Sequence, residues 1–223
     1  MRTKVKLTKQ QIKEDKFTNY MLLTRDWFLD NWQIVAILAA VVALIIAGSV
    51  YYFRMKSSKD IEAATRLTKA VAEMRRQNFQ VAILELKTLS DEYGGDIGGM
   101  ALFNLGNAYY DSKNYDEAIN SFKNYIDNYK LDKLTTASAY GGIAVSLECK
   151  QDFLAAGDKY VEAVKYYPES PSAPDYYLGA VRTYVQGGDR PKAEQMFKEL
   201  EEKFPGSDYG RTAARLIAQL KSQ

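Results

Sequence analysis

Twenty consecutive residues, Ile34 to Phe53 (IVAILAAVVALIIAGSVYYF), carry no charge. Coiled as a helix at 1.5 Å of rise per residue, they span about 30 Å, the thickness of a bilayer's hydrocarbon core. Trp27 and Trp32 precede the run and Tyr51, Tyr52 and Phe53 close it, which is where amphipathic rings settle at the two headgroup layers. Arg54, Lys56 and Lys59 then end it. A cleaved secretory signal has a shorter apolar core, about 7–15 residues, behind a leader of only a few residues; here 33 residues come first. The run therefore reads as a retained transmembrane helix. It divides the chain into a basic leader (1–33), the membrane helix (34–53), a juxtamembrane linker (54–62) and a domain from 63 to 223.

That division makes the charge balance informative. Of the 30 Lys+Arg and 28 Asp+Glu, 7 and 4 precede Ile34. The leader is thus net positive and suited to anionic headgroups, whereas the rest of the chain is close to neutral, a poor match for a phosphate backbone. Nucleic acid is not an expected partner. The chain has one cysteine, Cys149, and no histidine. An internal disulfide cannot form, and the commonest general base and metal ligand are missing. No phosphate-loop, zinc or calcium pattern is present, so no cofactor, metal or catalytic site is expected. The glycine cluster Gly94–Gly99 reads as a flexible turn between helices, and Cys149 as a small half-buried apolar residue.

The leader reads either as a helix or as a loosely ordered tail whose lysines only help to set topology. Thr8 with Gln11 has the form of a capping box, and neither Gly nor Pro interrupts the stretch from there to Trp32.

Beyond Lys59 there is a repeat instead of β alternation. Ala82, Ala118, Ala156 and Ala193 recur in phase, each followed four residues later by Leu86, Phe122, Tyr160 or Phe197. Eleven residues after each alanine stands Tyr93, Tyr129, Tyr167 or Phe204, then Gly94, Lys130, Pro168 or Pro205. These close a helix. Four residues before each alanine stands Asn78, Asn114, Asp152 or Asp189, a side-chain oxygen suited to capping the exposed N–H groups of a new helix. Pro191 then falls in a first turn, where its missing N–H costs nothing. Each repeat thus holds a bounded second helix behind a first one, clearest from Ala101 to Tyr110. Ser207 is expected to cap a last helix with Tyr209, Ala213, Leu216 and Ile217 on one face.

A helix pair recurring with this pattern of small, large and helix-closing residues resembles the tetratricopeptide repeat. Leu105, Gly106, Tyr109, Ala118 and Phe122 fall where that family has Leu, Gly, Tyr, Ala and Phe; Ala156, Tyr160, Ala163 and Pro168, and then Tyr184, Ala193, Phe197 and Pro205, follow suit. The first copy departs from the pattern, with Glu73 at the tyrosine position and Gly94 at the proline position. The resemblance implies an all-α fold: one N-terminal transmembrane helix and an α-solenoid of about four helix pairs with a capping helix. The longer Pro/Ser links between the repeats resemble those of bacterial envelope members of the family.

The same resemblance supplies a binding face. In the family, residues of the first helices that are not core line a groove. By phase these are Met100, Phe103, Asn107 and Tyr110, then Gly141 and Val145, then Leu178 and Arg182, with Ser138, Glu148, Asp175 and Gln186 on the same rows. The lining is mixed and partly apolar, without the cluster of Lys, Asn and Arg that clamps a terminal carboxylate, so an extended or helical segment of another protein is the expected ligand. The layout resembles the ancillary subunit of the Sec translocon. That implies a non-enzymatic scaffold in a bacterial inner membrane, its repeat domain periplasmic, acting as chaperone or adaptor beside the export machinery, with translocon components or exported chains as partners. An assembly factor for a cell-envelope or division complex, or a self-associating structural protein, fits the same sequence.

Charge gives two opposed indications of topology. Arg54, Lys56, Lys59, Arg66 and Lys69 follow the run closely while only Arg25 stands close before it, which favours cytoplasmic repeats. Against this, long C-terminal domains translocate largely regardless of charge, whereas an outward leader would carry seven basic residues across with no signal of its own. The expectation is a cytoplasmic N-terminus.

Overall fold

The computed structural model describes residues 9–221. Among these the chain is all helix: α1 (Lys9–Asp30), α2 (Trp32–Arg75), α3 (Phe79–Glu92), α4 (Gly95–Asp111), α5 (Tyr115–Asn128), α6 (Lys133–Cys149), α7 (Phe153–Tyr166), α8 (Ala173–Gln186), α9 (Arg190–Lys203) and α10 (Asp208–Lys221). Two compact units divide at Lys59 and Asp60.

The first unit holds α1 and the apolar part of α2. Of the two readings of the leader, the structure has the helix, from Lys9; Thr8 of the expected capping box lies outside the described residues. Asn31 separates the two helices, its amide Nδ2 donating to the Trp27 carbonyl at 2.9 Å. Leu38, Val42, Leu44, Ile45 and Phe53 are all exposed. By length and composition α2 is able to cross a membrane, and none of its most apolar window is buried. Residues 54–62, expected as a linker, are helical throughout.

The second unit begins within the same helix. From Asp60, α2 supplies Ala63, Leu67, Ala70 and Met74 to a core shared with α3 and α4, so the first repeat is a complete helix pair despite its aberrant Glu73. The pairs α4/α5, α6/α7 and α8/α9 follow, and α10 closes the last core with Ala213 and Ile217. All four phase alanines have no exposed surface. Their small side chains let a neighbouring helix approach, and aromatic residues fill the remaining space against glycines. A Cβ on Gly106 or on Gly142 would lie 2.6 Å from the Phe122 ring, one on Gly179 2.8 Å from Tyr160, and one on Gly157 2.5 Å from Tyr184.

The glycine cluster is a correction. Gly95 to Gly99 form the first turn of α4 and are not a link. Gly98 and Gly99 are buried there: a Cβ on Gly98 would collide with the Tyr93 carbonyl, and one on Gly99 would press on Tyr129 and Leu131 at 3.0 Å. Glycine at these positions serves close helix packing.

Helix ends follow the expected positions more closely than the expected bonds. Asn78, Asn114, Asp152 and Asp189 are the N-cap residues of α3, α5, α7 and α9, and Tyr93, Tyr129, Tyr167 and Phe204 are the C-caps. Only Asp189 of the four uses its side chain as a cap, accepting from Lys192 N at 3.1 Å. Asn78 instead donates to Glu73 and Asn114 to Ser112. Ser207 accepts from Gly210 N at 3.1 Å, as anticipated, and Asp132 caps α6 through Thr135 N at 2.8 Å.

What organises each turn between paired helices is backbone. Gln77, Lys113, Gln151 and Gly188 all have positive φ, at 65°, 64°, 64° and 78°. The next residue's N–H reaches back to Glu73, Tyr109, Leu147 or Tyr184, the six-to-one bond of a Schellman ending. A left-handed conformation costs a side-chain-bearing residue about 1–2 kcal/mol, partly offset in glycine by its larger unfolded-state entropy. Gln77→Gly, Lys113→Gly and Gln151→Gly should therefore each stabilise the repeat unit by about 0.5–1 kcal/mol. Thermal unfolding that shows no rise for any of the three would refute this account of the turns.

Candidate protein-binding face

The first helices of the repeats, α4, α6 and α8, carry the residues singled out by phase. Met100 and Asn107 are half-buried on α4. Phe103 is half-buried as well, but its ring packs on Phe122 at 5.8 Å and on Tyr125 at 5.7 Å, which gives it a share in the core. Tyr110 stacks obliquely on Tyr115 at 5.9 Å. Its hydroxyl is pushed up to about 12 by burial and then by Cys149 beside it. Cys149, read from sequence as half-buried, is exposed at the end of α6.

On the next helices Val145 and Leu178 are half-buried at the edge of the last core cluster. Gly141 is fully packed: a Cβ there would meet the Tyr176 ring at 2.7 Å, so its contribution is to bring α6 and α8 together. Arg182 does not stand free. Its Nε and a terminal nitrogen donate to the two oxygens of Glu148, each at 2.8 Å, and Tyr160 donates to the same carboxylate at 3.1 Å. The Glu148 hydrogen bond holds the guanidinium above its ordinary range, and burial followed by the Glu148 charge does the same to the Tyr160 phenol. Such a bidentate pair is geometrically demanding. It ties α6 to α8 and leaves Arg182 committed to Glu148.

Phase places Glu148 on this row without revealing its partner. The signal for the pairing is a spacing. Glu148 and Arg182 are 34 residues apart, and so are Asp116 and Lys150, Asp158 and Lys192, and Asp175 and Tyr209. Each contact joins one repeat to the next.

Asp158 shows the consequence for pH. Its carboxylate accepts from the Tyr184 hydroxyl at 2.7 Å and from Lys192 Nζ at 3.0 Å. Burial pushes its pKa up, yet these bonds and the Lys192 charge outweigh burial and hold it below the usual carboxylate range. A folded pKa below the unfolded one contributes stability that is full above the unfolded value and is lost as pH falls through the folded one. The repeat unit should therefore lose stability below about pH 4. Asp158→Asn should flatten that part of the profile, and parallel pH profiles of unfolding temperature for the two proteins would count against the pair. Asp158 is more than half exposed, so the contribution is modest.

The arrangement of stacked helix pairs, with phase alanines buried and a mixed face left on the first helices, is that of a repeat scaffold. The family model of the tetratricopeptide repeat-like domain matches residues 25–151. The chain belongs to that family. A second model, of the tetratricopeptide repeat, matches residues 175–207. Domains of this family bind other proteins and are generally non-enzymatic scaffolds. Among solved structures the fold is similar to a tetratricopeptide repeat protein from Parabacteroides merdae (TM-score 0.60, 16% identity, covering 72% of this chain and 60% of that one). It is also similar to the apo form of RapI (TM-score 0.58, 16% identity, 70% and 47%) and to MamA (TM-score 0.51, 18% identity, 69% and 92%). No curated protein matches the chain. Among the described residues no cluster of acidic or sulfur ligands suited to a metal ion is found.

Proposed function

We propose that this protein is a membrane-anchored scaffold: residues 34–53 cross a bacterial inner membrane, the leader is cytoplasmic, and the repeat domain faces the periplasm as an adaptor or chaperone beside the protein export machinery. The observation that carries the reading is the coexistence of two surfaces with different solvents. In the apolar part of α2 every residue but the half-buried Val35 is exposed, which water does not tolerate in a patch of that size. The repeat unit, in contrast, buries its phase residues and exposes charge. The family match begins at residue 25, ahead of the apolar run, so the run falls inside the matched domain and is not an appendage to it. For the partner, the support is the row on the first helices: Met100, Asn107 and Val145 keep part of their surface free of the core, a mixed apolar and amide lining suited to an extended or helical protein segment.

Two measurements test this. Alkaline phosphatase fused after Gln223 should be active in cells, since the enzyme requires an oxidising compartment; activity only from a cytoplasm-dependent reporter places the repeats inside and removes every periplasmic partner. A photo-crosslinking residue at Met100, Asn107 or Val145 should capture translocon components or exported chains, whereas the same residue at exposed Lys123 should not. Equal capture at all four positions would show that the first-helix row is not the binding face.

A further inference from the structure

A second surface, on the opposite helices of the last repeats, is built for a ligand of different chemistry. Between α7 and α9 lies a cavity of about 250 Å³ with Val161, Val164, Tyr177 and Met196 as its apolar wall and Lys165 and Lys203 at its rim. Both lysines are exposed, and neither has an ion-pair partner among the described residues. Glu199, the one acid lining it, accepts from Gln195 Nε2 at 3.1 Å and lies close enough to the Tyr177 phenol to add, after burial, to its upward shift.

One repeat earlier the equivalent positions carry different side chains. The counterparts of Tyr177 and Lys203 are Tyr140 and Tyr166, whose rings meet at 5.8 Å. The counterparts of Met196 and Glu199 are Lys159 and Glu162, which form an ion pair at 2.8 Å near Tyr140. The counterpart of Lys165 is Asp127. The last junction thus lacks the ring that packs on Tyr140 in its predecessor, has methionine where a lysine stood, and carries lysines where the predecessor has an aspartate and a tyrosine. The cavity has the volume and walls for an aromatic ring, and its rim has the opposite sign.

We propose that this cavity is a second protein-docking site that receives an aromatic side chain from an acidic segment of a partner protein. The ring occupies the position Tyr166 holds one repeat earlier, and carboxylates flanking it in the partner pair with Lys165 and Lys203. An aromatic anchor in a desolvated pocket with charges at the rim is the usual division of labour at interfaces: the ring supplies affinity and the rim charges supply selection. The site is separate from the first-helix row and does not depend on that row being a binding face.

The test uses the full chain in detergent, with methionine methyl groups labelled for NMR, because Met196 reports the cavity and Met100 the first-helix row. The probe is a peptide of about twelve residues with one Phe flanked by Glu, compared with a Phe→Ala version and a version flanked by Lys. The Met196 signal should shift saturably with the first peptide, Met100 should not, and the other two peptides should bind at least about tenfold more weakly. Lys203→Tyr supplies the missing ring from within and should weaken binding of the first peptide by a similar factor. Lys165→Glu with Lys203→Glu, both at exposed positions, should reverse the preference toward the Lys-flanked peptide. A shift confined to Met100, no saturation, undiminished binding by Lys203→Tyr, or an unchanged peptide preference after charge reversal would each overturn the assignment.

Discussion

Phe122→Ala is expected to destabilise the repeat unit by about 3–5 kcal/mol. The ring is 1% exposed and lies between α4 and α6, where its neighbours on the two sides are Gly106 and Gly142. Glycine has no side chain to swing into the space the ring leaves, and the helices are held apart by Phe103, Tyr125 and the other members of the same cluster. The cavity therefore persists, and the cost should fall at the upper end of the range for a lost aromatic. For a unit of this size that is a fall in unfolding temperature of about 10 °C. Because a solenoid's stability is a sum of nearest-neighbour interfaces, a defect in its middle should also broaden the transition or split it in two. Thermal unfolding followed by circular dichroism checks both. A shift of about 3 °C or less would mean that the cavity collapses and that the glycines do not frame the ring.

The second large effect concerns the apolar run. Leu44→Arg with Ile45→Arg places two charges at its centre, each costing about 2.5–3.5 kcal/mol in a membrane-spanning helix. Both native side chains are fully available to solvent or lipid, at 72% and 63% exposure, so the substitutions disturb no internal packing and the repeat unit should be unaffected. Under the proposed anchoring, alkaline extraction of cell membranes should leave the native protein in the pellet and release the doubly substituted one. Release of both would show that the run does not span the bilayer; retention of both would show that α1 or a partner holds the protein to the membrane.

Much of the architecture was legible in the residues. The phase alanines, the large residue four positions on, and the closing aromatics each occupy the role their spacing predicts, because a helix pair that buries only against its neighbours repeats its packing solution in the sequence. Met196 is a smaller exception: it is more deeply buried than Phe197, which stands at the phase position. The end of each second helix was legible for the same reason: Tyr93, Tyr129, Tyr167 and Phe204 all take a non-helical backbone at one fixed place, and Tyr93, Tyr129 and Phe204 also pack on the core.

The sequence alone determined the helix pairing, the apolar run and the rows of residues on each helix, because these depend on local periodicity of 3.6 residues and on composition. Only the tertiary structure decided what each row touches. Phase puts Phe103, Gly141 and Arg182 on the face of Met100 and Asn107, but a ring contact with Phe122, the approach of Tyr176 and the Glu148 carboxylate commit those three to the fold. Gly98 and Gly99 read as a loop because glycine is a turn signal; inside α4 they leave the room that the neighbouring tyrosines occupy. The left-handed turns at Gln77, Lys113 and Gln151 had no composition to announce them, since tertiary packing on both sides imposes a conformation that those residues do not favour. The cavity between α7 and α9 was invisible for a related reason. Lys203 lines it where Tyr166 packs on Tyr140 one repeat earlier, and a lysine in a charged helix signals nothing until the ring it replaces is seen.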